Sequence, residues 1–301
     1  MSKKILVIGS TNTDMVIKTT NLPRPGETVL GGTFLMNAGG KGANQAVAAA
    51  RLGAGVTFVC KTGNDIFGQQ SMQLFADEGI DATYVFSDSE HPSGVALITV
   101  DEQAENCIVV ASGANAHLLP ADLAQAKDAM EAADIVLMQL EIPVETIEYA
   151  AKIAHSAGKT VILNPAPAQP LSKELLQHVT ILTPNETEAA MISGVAVTDV
   201  PSACKAAQTI CEMGVQKVII TLGSKGALIY DNGISEEIPA QKVKAVDTTA
   251  AGDVFNGALS VALSEGKILS DAVKFACKAS AISVTRIGAQ ASAPYRKEII
   301  D

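Results

Sequence analysis

None of the five cysteines, at positions 60, 107, 204, 211 and 277, stands in Cys-x-x-Cys spacing, and their number is odd. Cys60, Cys107 and Cys211 lie in or beside apolar runs and read as buried free thiols, so a reducing compartment is expected. The apolar run in "MSKKILVIGS" is too short for a signal peptide or a membrane span, and a cytoplasmic location is expected. Basic residues are also scarce, with 22 Lys and Arg against 32 Asp and Glu, for a net charge of -10. That balance argues against a nucleic-acid protein, whose phosphate contacts need clustered cations. His91, His117, His155 and His178 are isolated, and no Gly-x-Ser-x-Gly elbow occurs, so zinc and serine hydrolase chemistry has no support.

What the chain does have is a large core. Over 301 residues it is 48% apolar and 18% charged, the balance of a soluble globular protein. "KILVIGS", "VTFVCKTG", "DIVLMQLE", "TVILNPAP", "VTILTPN" and "VQKVIITLGSKGALIYDNG" read as strands. They alternate with helical patterns such as "FGQQSMQLFADEGI", "ADLAQAKDAMEAA", "VETIEYAAKIAHSAG" and "VPSACKAAQTICEMG". Near-continuous apolar strands between helices predict a mostly parallel sheet covered on both faces, an α/β fold. Polar early strands and a hairpin around an acidic turn near 94–110 alternate better, and predict a small antiparallel sheet outside the main layer. No repeat or linker interrupts the chain, so one domain over 1–301 is expected, with a β lid from segments near 12–36 and 93–111.

Open parallel sheets bind ligands beyond the carboxyl ends of their strands. Asn12, Asp14, Glu141, Asn164, Asn185, Thr221, Gly223 and Gly226 all follow predicted strands. The loop "NAGGKGANQA" lacks the Ser or Thr of a Walker loop and the third glycine of a dinucleotide fingerprint. With Lys41 and Asn44, and with Asn12, Asp14 and Glu141, it offers carboxylates and amides suited to a neutral polyhydroxylated ligand. "TLGSKG" reads either as a plain hairpin turn or as exposed backbone under a nucleotide, with Lys225 near phosphate.

The stretch "AVDTTAAGDVFNGALSVAL" sets Ala250, Ala251 and Gly252 ahead of Asp253 at the start of a helix. Small residues expose successive N–H groups where the helix dipole favours negative charge. One reading is helix capping, worth a few tenths to ~1 kcal/mol. The other is an anion hole beside an ionised carboxylate, able to take a proton from a hydroxyl and to stabilise a transferring phosphoryl group.

Taken in order, "GSTNTD", "GGKGANQAVAAARLG", "QLE", "LNPAP", "TPNETEA", "TLGSKG", "DTTAAGDVFNGAL" and "TRIGAQ" resemble the ribokinase-like (PfkB) carbohydrate kinases over nearly the whole chain. The resemblance implies a three-layer α/β/α domain with a small β-sheet lid, and lids that clasp two subunits into a homodimer. It implies transfer of the ATP γ-phosphoryl group to the 5-hydroxyl of D-ribose. Asp253 matches the family's catalytic base, and Ala250, Ala251 and Gly252 its anion hole. Asn12, Asp14, Gly40, Lys41, Asn44 and Glu141 match sugar-site positions. Asn185, Glu188, Thr221, Gly223, Ser224, Gly226 and Gly252 match nucleotide positions, with Cys277 at the adenine-side wall; Asn185 and Glu188 also serve Mg²⁺ and phosphate. Asp247, Thr249, Ser283, Arg286, Gly288 and Ser292 match a monovalent cation site for K⁺. The family's commonest motif has Gly where Ala250 or Ala251 stands. Rival readings are a kinase of the same fold for fructose, a deoxysugar or a nucleoside, a non-catalytic sugar-binding regulator, and a nicotinamide-dependent dehydrogenase. The absent dinucleotide fingerprint weighs against the last.

Overall fold

The "KILVI" run forms β1 (Lys4–Ile8), and its alternating side chains feed two separate cores. Ile5 and Val7 pack with Val47, Phe255, Leu259 and Ala276 on one side. Leu6 and Ile8 pack with Ile147, Leu176 and Ile210 on the other. A strand buried on both faces needs helices above and below it. The computed structural model describes residues 4–103 and 105–299 and supplies both layers.

Along the chain β1 is followed by β2 (Asn12–Lys18), β3 (Thr33–Gly39), α1 (Lys41–Arg51), β4 (Gly55–Gly63), α2 (Ile66–Asp77) and β5 (Asp81–Asp88). Next come β6 (Gly94–Val100), β7 (Asn106–Ala111), α3 (Pro120–Gln125), α4 (Lys127–Ala132), β8 (Ile135–Met138), α5 (Val144–Ser156) and β9 (Thr160–Leu163). Then follow α6 (Lys173–Leu176), β10 (Ile181–Leu182), α7 (Glu186–Ser193), α8 (Val200–Glu212) and β11 (Lys217–Thr221). The last elements are β12 (Gly226–Asp231), β13 (Ile234–Pro239), α9 (Ala251–Ser264) and α10 (Leu269–Ser283).

Nine strands form the main sheet in the order β13-β12-β11-β10-β9-β8-β1-β4-β5. From β5 to β11 all neighbours run parallel, while β12 and β13 return antiparallel at one edge. The expected parallel α/β sheet is therefore present. Helices α1, α9 and α10 stack together over one face. At Gly257 a Cβ would stand 2.8 Å from the Ala48 Cβ and 2.8 Å from the Gln45 carbonyl oxygen, so only glycine lets α9 lie this close to α1. At the far end of α1 the Arg51 guanidinium donates to the carbonyls of Gln290 (2.7 Å) and Ala293 (3.0 Å), tying the helix to the C-terminal segment.

The smaller sheet has the order β3-β2-β6-β7. It was expected to be antiparallel, but β2 pairs with β6 in parallel, because β2 leaves the end of β1 and β6 enters beside it in the same direction. Ala104, in the acidic turn between β6 and β7, lies outside the described residues, as do the ends of the expected 1–301 span. Exposed Ile17, Phe34, Met36, Leu97 and Val109 share one face of this sheet, whereas exposed Ile108 and Val110 lie on the other.

Other departures have local causes. The helix expected over "ADLAQAKDAMEAA" breaks at Ala126 (φ -96°, ψ 11°), while the buried series Leu123, Ala126, Met130 runs through the break. Strands β5 and β13 were not anticipated; both are edge strands with polar sequences. Cys107 is exposed on β7, which has no layer above it, and Cys211 is only half-buried, whereas Cys60 is buried as expected. All five thiols are unpaired. Among the described residues no helix is long and apolar enough to cross a membrane.

Candidate active site

The site is built at the carboxyl ends of β1, β8, β9, β10 and β11. The glycine loop reaches this edge by crossing the chain just after β1. Gly40 has φ 88°, and a Cβ there would lie 2.7 Å from the Asn12 nitrogen, so backbone packs directly on backbone. That contact starts α1 beside β2 and lines up Lys41, Asn44 and Gln45 toward the sheet edge.

Asp253 lies in the first turn of α9 and is only 5% exposed. Its carboxylate does not cap its own helix. Oδ2 accepts from the Asn44 Nδ2 at 2.9 Å, and Oδ1 accepts from the Gln45 Nε2 at 2.9 Å. The capping reading is therefore set aside. Burial raises the Asp253 pKa, against the pull of Lys41 and the two amides, with Glu141 adding to the rise. The helix start was expected to favour the charged form; dehydration acts in the opposite direction and sets the sign of the shift.

Asp14, on β2, has its pKa raised to about 6 by burial first, then by Glu141 and Asp253, with Lys41 opposing. Burial works against the Lys41 charge, but Asp253, Glu141, Glu188 and Asp14 outweigh it and hold its pKa above the usual value. Glu141 accepts from the Ser10 hydroxyl (2.5 Å) and the Lys41 backbone N–H (3.0 Å). The Asn12 Oδ1 accepts from the Asn115 Nδ2 at 2.8 Å. The six sugar-site positions thus converge on one acidic pocket around a single lysine. Asn44 Oδ1 is buried there without a partner among the described residues, an acceptor with nothing yet to accept from.

A cleft of about 800 Å³ opens on the other side of the α9 start. Asn185, Thr221, Gly223, Ser224, Gly226, Gly252 and Cys277 line it together, as the nucleotide reading expects, along with Phe255, Ala281 and Val284. Burial pushes the Cys277 thiol up to about 11, so it serves as apolar wall. A Cβ on Gly252 or Gly223 would meet nothing within 4 Å, so both edges are open. Asn185 caps α7 reciprocally: its Oδ1 accepts from the Glu188 N–H, and its own N–H donates to Glu188 Oε2, both at 2.8 Å. Burial raises the Glu188 pKa, opposed by the Asn185 N–H and Lys41. Lys225, expected beside phosphate, pairs with Glu186, a residue of the cleft lining, at 3.5 Å.

At the expected anion hole, Ala250 sits in left-handed backbone (φ 58°) and has no side-chain cap. The Ala251 N–H already donates to the Thr248 carbonyl at 3.2 Å, whereas Gly252, which lines the cleft, has no main-chain partner for its N–H among the described residues.

Two loops meet behind this turn. Asp247 accepts from the Thr249 N–H and the Gly288 N–H, both at 2.9 Å. Burial disfavours its charge, but those amides prevail and hold its pKa below the usual range. The side chains of Ser283, Arg286 and Ser292 are engaged with Ser280, Glu298 and Ala289. Main-chain oxygens, and the lone pairs of the two serine hydroxyls, remain at those positions to serve a cation.

Gln45, Asn115, Gln139, Thr183 and Asn256 were not singled out from sequence, yet all are buried at this edge. The signal available was a polar residue inside an otherwise apolar run, as with Gln45 in the alanine-rich α1.

The family model for "pfkB family carbohydrate kinase" matches residues 2–296. The chain is 48% identical over 301 residues to the ribokinase of Haemophilus influenzae, covering 100% of this chain and 98% of that one. It is 42% identical over 297 residues to the ribokinase of Bacillus subtilis, covering 99% of this chain and 98% of the relative. A solved structure of Arabidopsis thaliana ribokinase complexed with ribose and ATP superposes with a TM-score of 0.94 at 34% identity, covering 99% of this chain and 98% of that chain.

Proposed function

This chain belongs to the pfkB family of carbohydrate kinases, and on that premise we propose that it transfers the γ-phosphoryl group of ATP to the 5-hydroxyl of D-ribose, giving D-ribose 5-phosphate and ADP. The observation that carries the reading is the position of Asp253. Its carboxylate is held by Asn44 among the acidic side chains, while its chain neighbour Gly252 lines the open cleft of about 800 Å³. A sugar among those side chains and a nucleotide in the cleft would meet across it.

Asp253 takes the proton of the 5-hydroxyl as that oxygen attacks the γ-phosphorus and ADP departs. The N–H groups at the start of α9 receive the charge of the transferring group. Asp14 and Glu141 accept from the sugar hydroxyls and the Asn12 amide both accepts and donates, with Lys41 and Asn44 beside them. Asn185, Thr221, Gly223, Ser224 and Gly226 bed the nucleotide, with Cys277 at the base wall.

The donor set fits Mg²⁺ bound chiefly through nucleotide phosphates. Among the described residues no three His, Cys, Asp or Glu side chains cluster to hold a metal alone, and Glu188 with Asn185 supplies a single buried carboxylate element. Mg²⁺ would neutralise phosphate charge. The clamped loops around Asp247, with carbonyls of Thr249, Ser283, Arg286, Gly288 and Ser292, offer hard oxygen donors that suit K⁺. Its charge would polarise the turn that receives phosphate.

We read the β3-β2-β6-β7 sheet as a lid over the sugar pocket, and its exposed apolar face as the contact of a homodimer, since such a face needs covering. Five unpaired thiols support a cytoplasmic setting, and the charge of -10 supports no nucleic-acid partner.

The test is coupled ADP release with Mg·ATP in K⁺ buffer, across D-ribose, 2-deoxyribose, fructose and adenosine. A strong preference for D-ribose is expected. Preference for another acceptor would move the substrate and keep the mechanism; no turnover on any would leave a sugar-binding regulator.

A further inference from the structure

The Gln45 amide has every hydrogen-bonding group committed. Its Oε1 accepts from the Gln139 Nε2 at 2.6 Å. Its Nε2 donates to Asp253 Oδ1 at 2.9 Å and to Asn164 Oδ1 at 3.1 Å. Because an ionised carboxylate only accepts, Asp253 requires the Gln45 Nε2 on its side, and both hydrogens of that nitrogen point to acceptors. The path continues. Asn164 Nδ2 donates to the Thr183 carbonyl at 3.1 Å, and Thr183 Oγ1 donates to Asn256 Oδ1 at 2.6 Å. Asn256 Nδ2 then donates to the Gly252 carbonyl at 2.8 Å. Gly252 is bonded covalently to Asp253, so the circuit closes on itself.

Each member is at least nine-tenths buried: Gln45 and Gln139 are 0% exposed, Asn256 and Thr183 1%, and Asn164 7%. Buried amides without partners are costly; the Gln139 Oε1 is one such atom, while the atoms that form the circuit are all partnered and hold one another in place. The ring grips the Gly252–Asp253 step from both sides. One hand holds the carboxylate; the other holds the carbonyl of Gly252, which lines the cleft.

We propose that Gln45 is a positioning residue for the phosphoryl-transfer step, fixing the Asp253 carboxylate from behind through an amide ring that also holds the Gly252 turn. This rests on the reading of Asp253 as the base. Asn44 holds the other oxygen, Oδ2, but from the sugar pocket, where its own Oδ1 is left for substrate. Gln45 therefore orients the base without standing in the pocket.

Gln45→Met keeps the side-chain length and removes both donors. With the purified full-length enzyme, kcat for D-ribose is expected to fall ~10-fold or more at neutral pH, the share of a hydrogen bond to a charged group, while the KM for ribose changes by less than about threefold. The acid limb of the kcat profile should move to higher pH, because a donor to the carboxylate is gone. A merely structural role would not shift that limb. The decisive measurement is the double variant. In an Asp253→Asn background, Gln45→Met should change the residual rate by less than about twofold, because the group it serves is already gone. Asn256→Ala, which cuts the ring at its other side, should also lower kcat with little change in KM.

Three results would overturn the inference. If Gln45→Met folds, judged by an unchanged melting curve, and keeps kcat and the acid limb, Gln45 does not position the base. If its effect persists undiminished beside Asp253→Asn, it acts elsewhere. If Asp253→Asn alone keeps wild-type turnover, the base assignment itself fails, and that outcome is distinct from the first two. Should Gln45→Met fail to fold, Asn164→Asp and Asn256→Ala test the same ring from other members by the same split of kcat from KM.

Discussion

Asn44 and Asp253, 209 residues apart, share a hydrogen bond of 2.9 Å inside the protein. The same Asn44 side chain leaves its oxygen buried without a partner among the described residues. On the proposed reading, one amide would touch the base on one side and offer an acceptor to the sugar on the other. Asp253→Asn is expected to lower kcat by ~10²–10⁴, the usual share of a general base. Ribose affinity, read by calorimetry, should shift less than about tenfold. Wild-type turnover would remove Asp253 as base.

The pH profile follows from burial. The Asp253 pKa is raised above the ordinary carboxylate value, and only the ionised form accepts a proton. The rate should therefore fall on acidification at a pH above that of an exposed aspartate. A profile flat down to the exposed-carboxylate range would contradict the assignment.

Asp14 carries a cost in the empty protein. Its pKa stands at about 6 in the fold against 3.8 for the free group, so ionisation is disfavoured by folding. Above pH 6 it is ionised in both states, and the folded state bears the penalty. Below pH 4 it is protonated in both, and the penalty vanishes. Asp14→Asn should raise the Tm of the sugar-free protein at pH 7.5 by roughly 2–6 °C, with the gain gone near pH 4, and should raise the KM for ribose. An unchanged Tm at pH 7.5 would deny the strain in the acidic pocket.

Ala250 occupies left-handed backbone at φ 58°, where a Cβ costs ~1 kcal/mol relative to glycine. Ala250→Gly should stabilise the protein by about that amount in urea unfolding. A loss of stability would show that the methyl packs usefully.

The exposed apolar lid gives a prediction for assembly. Val109 is 62% and Phe34 59% exposed in the single chain. Sedimentation at micromolar concentration should show a dimer, and Val109→Glu should return it to monomer. A wild-type monomer would remove the clasp.

Replacing K⁺ with Na⁺ at constant ionic strength should lower kcat, and Asp247→Ala should abolish the difference between the two ions, since Asp247 ties the two loops together. Equal rates in both salts would leave the loop clamp purely structural.

The parallel sheet was legible because strands such as "IVLM" and "KVII" are buried on both faces and show it as unbroken apolar runs. β5 and β13 were not, because "DATYVFSD" and "ISEEIP" lie at sheet edges, and edge strands carry polar residues that blur the pattern. The mixed pairing of the small sheet depends on which way two distant strands enter it, which no local pattern records. In the site, Asp253, Lys41 and the strand-end residues were legible from their positions and from the family motifs. The partners of Asp253 were not. Gln45 sits in an alanine-rich helix, and nothing in its neighbourhood shows that its amide meets a carboxylate more than two hundred residues later. The raised pKa of Asp253 has the same origin: dehydration belongs to the packed whole.

Every strand described here ends by residue 239, whereas α9 and α10 come after it. A ribosome that has finished the last strand has laid down both sheets and the entire sugar loop. It has not yet made the helices that cover Ile5, Val7 and Val47, nor the base, nor the segment that Arg51 grips. Until residues 240–299 are made, the side of the sheet that carries Ile5 and Val7 lacks the cover of α9 and α10. A chain cut short in that stretch is expected to expose apolar surface and to be inactive.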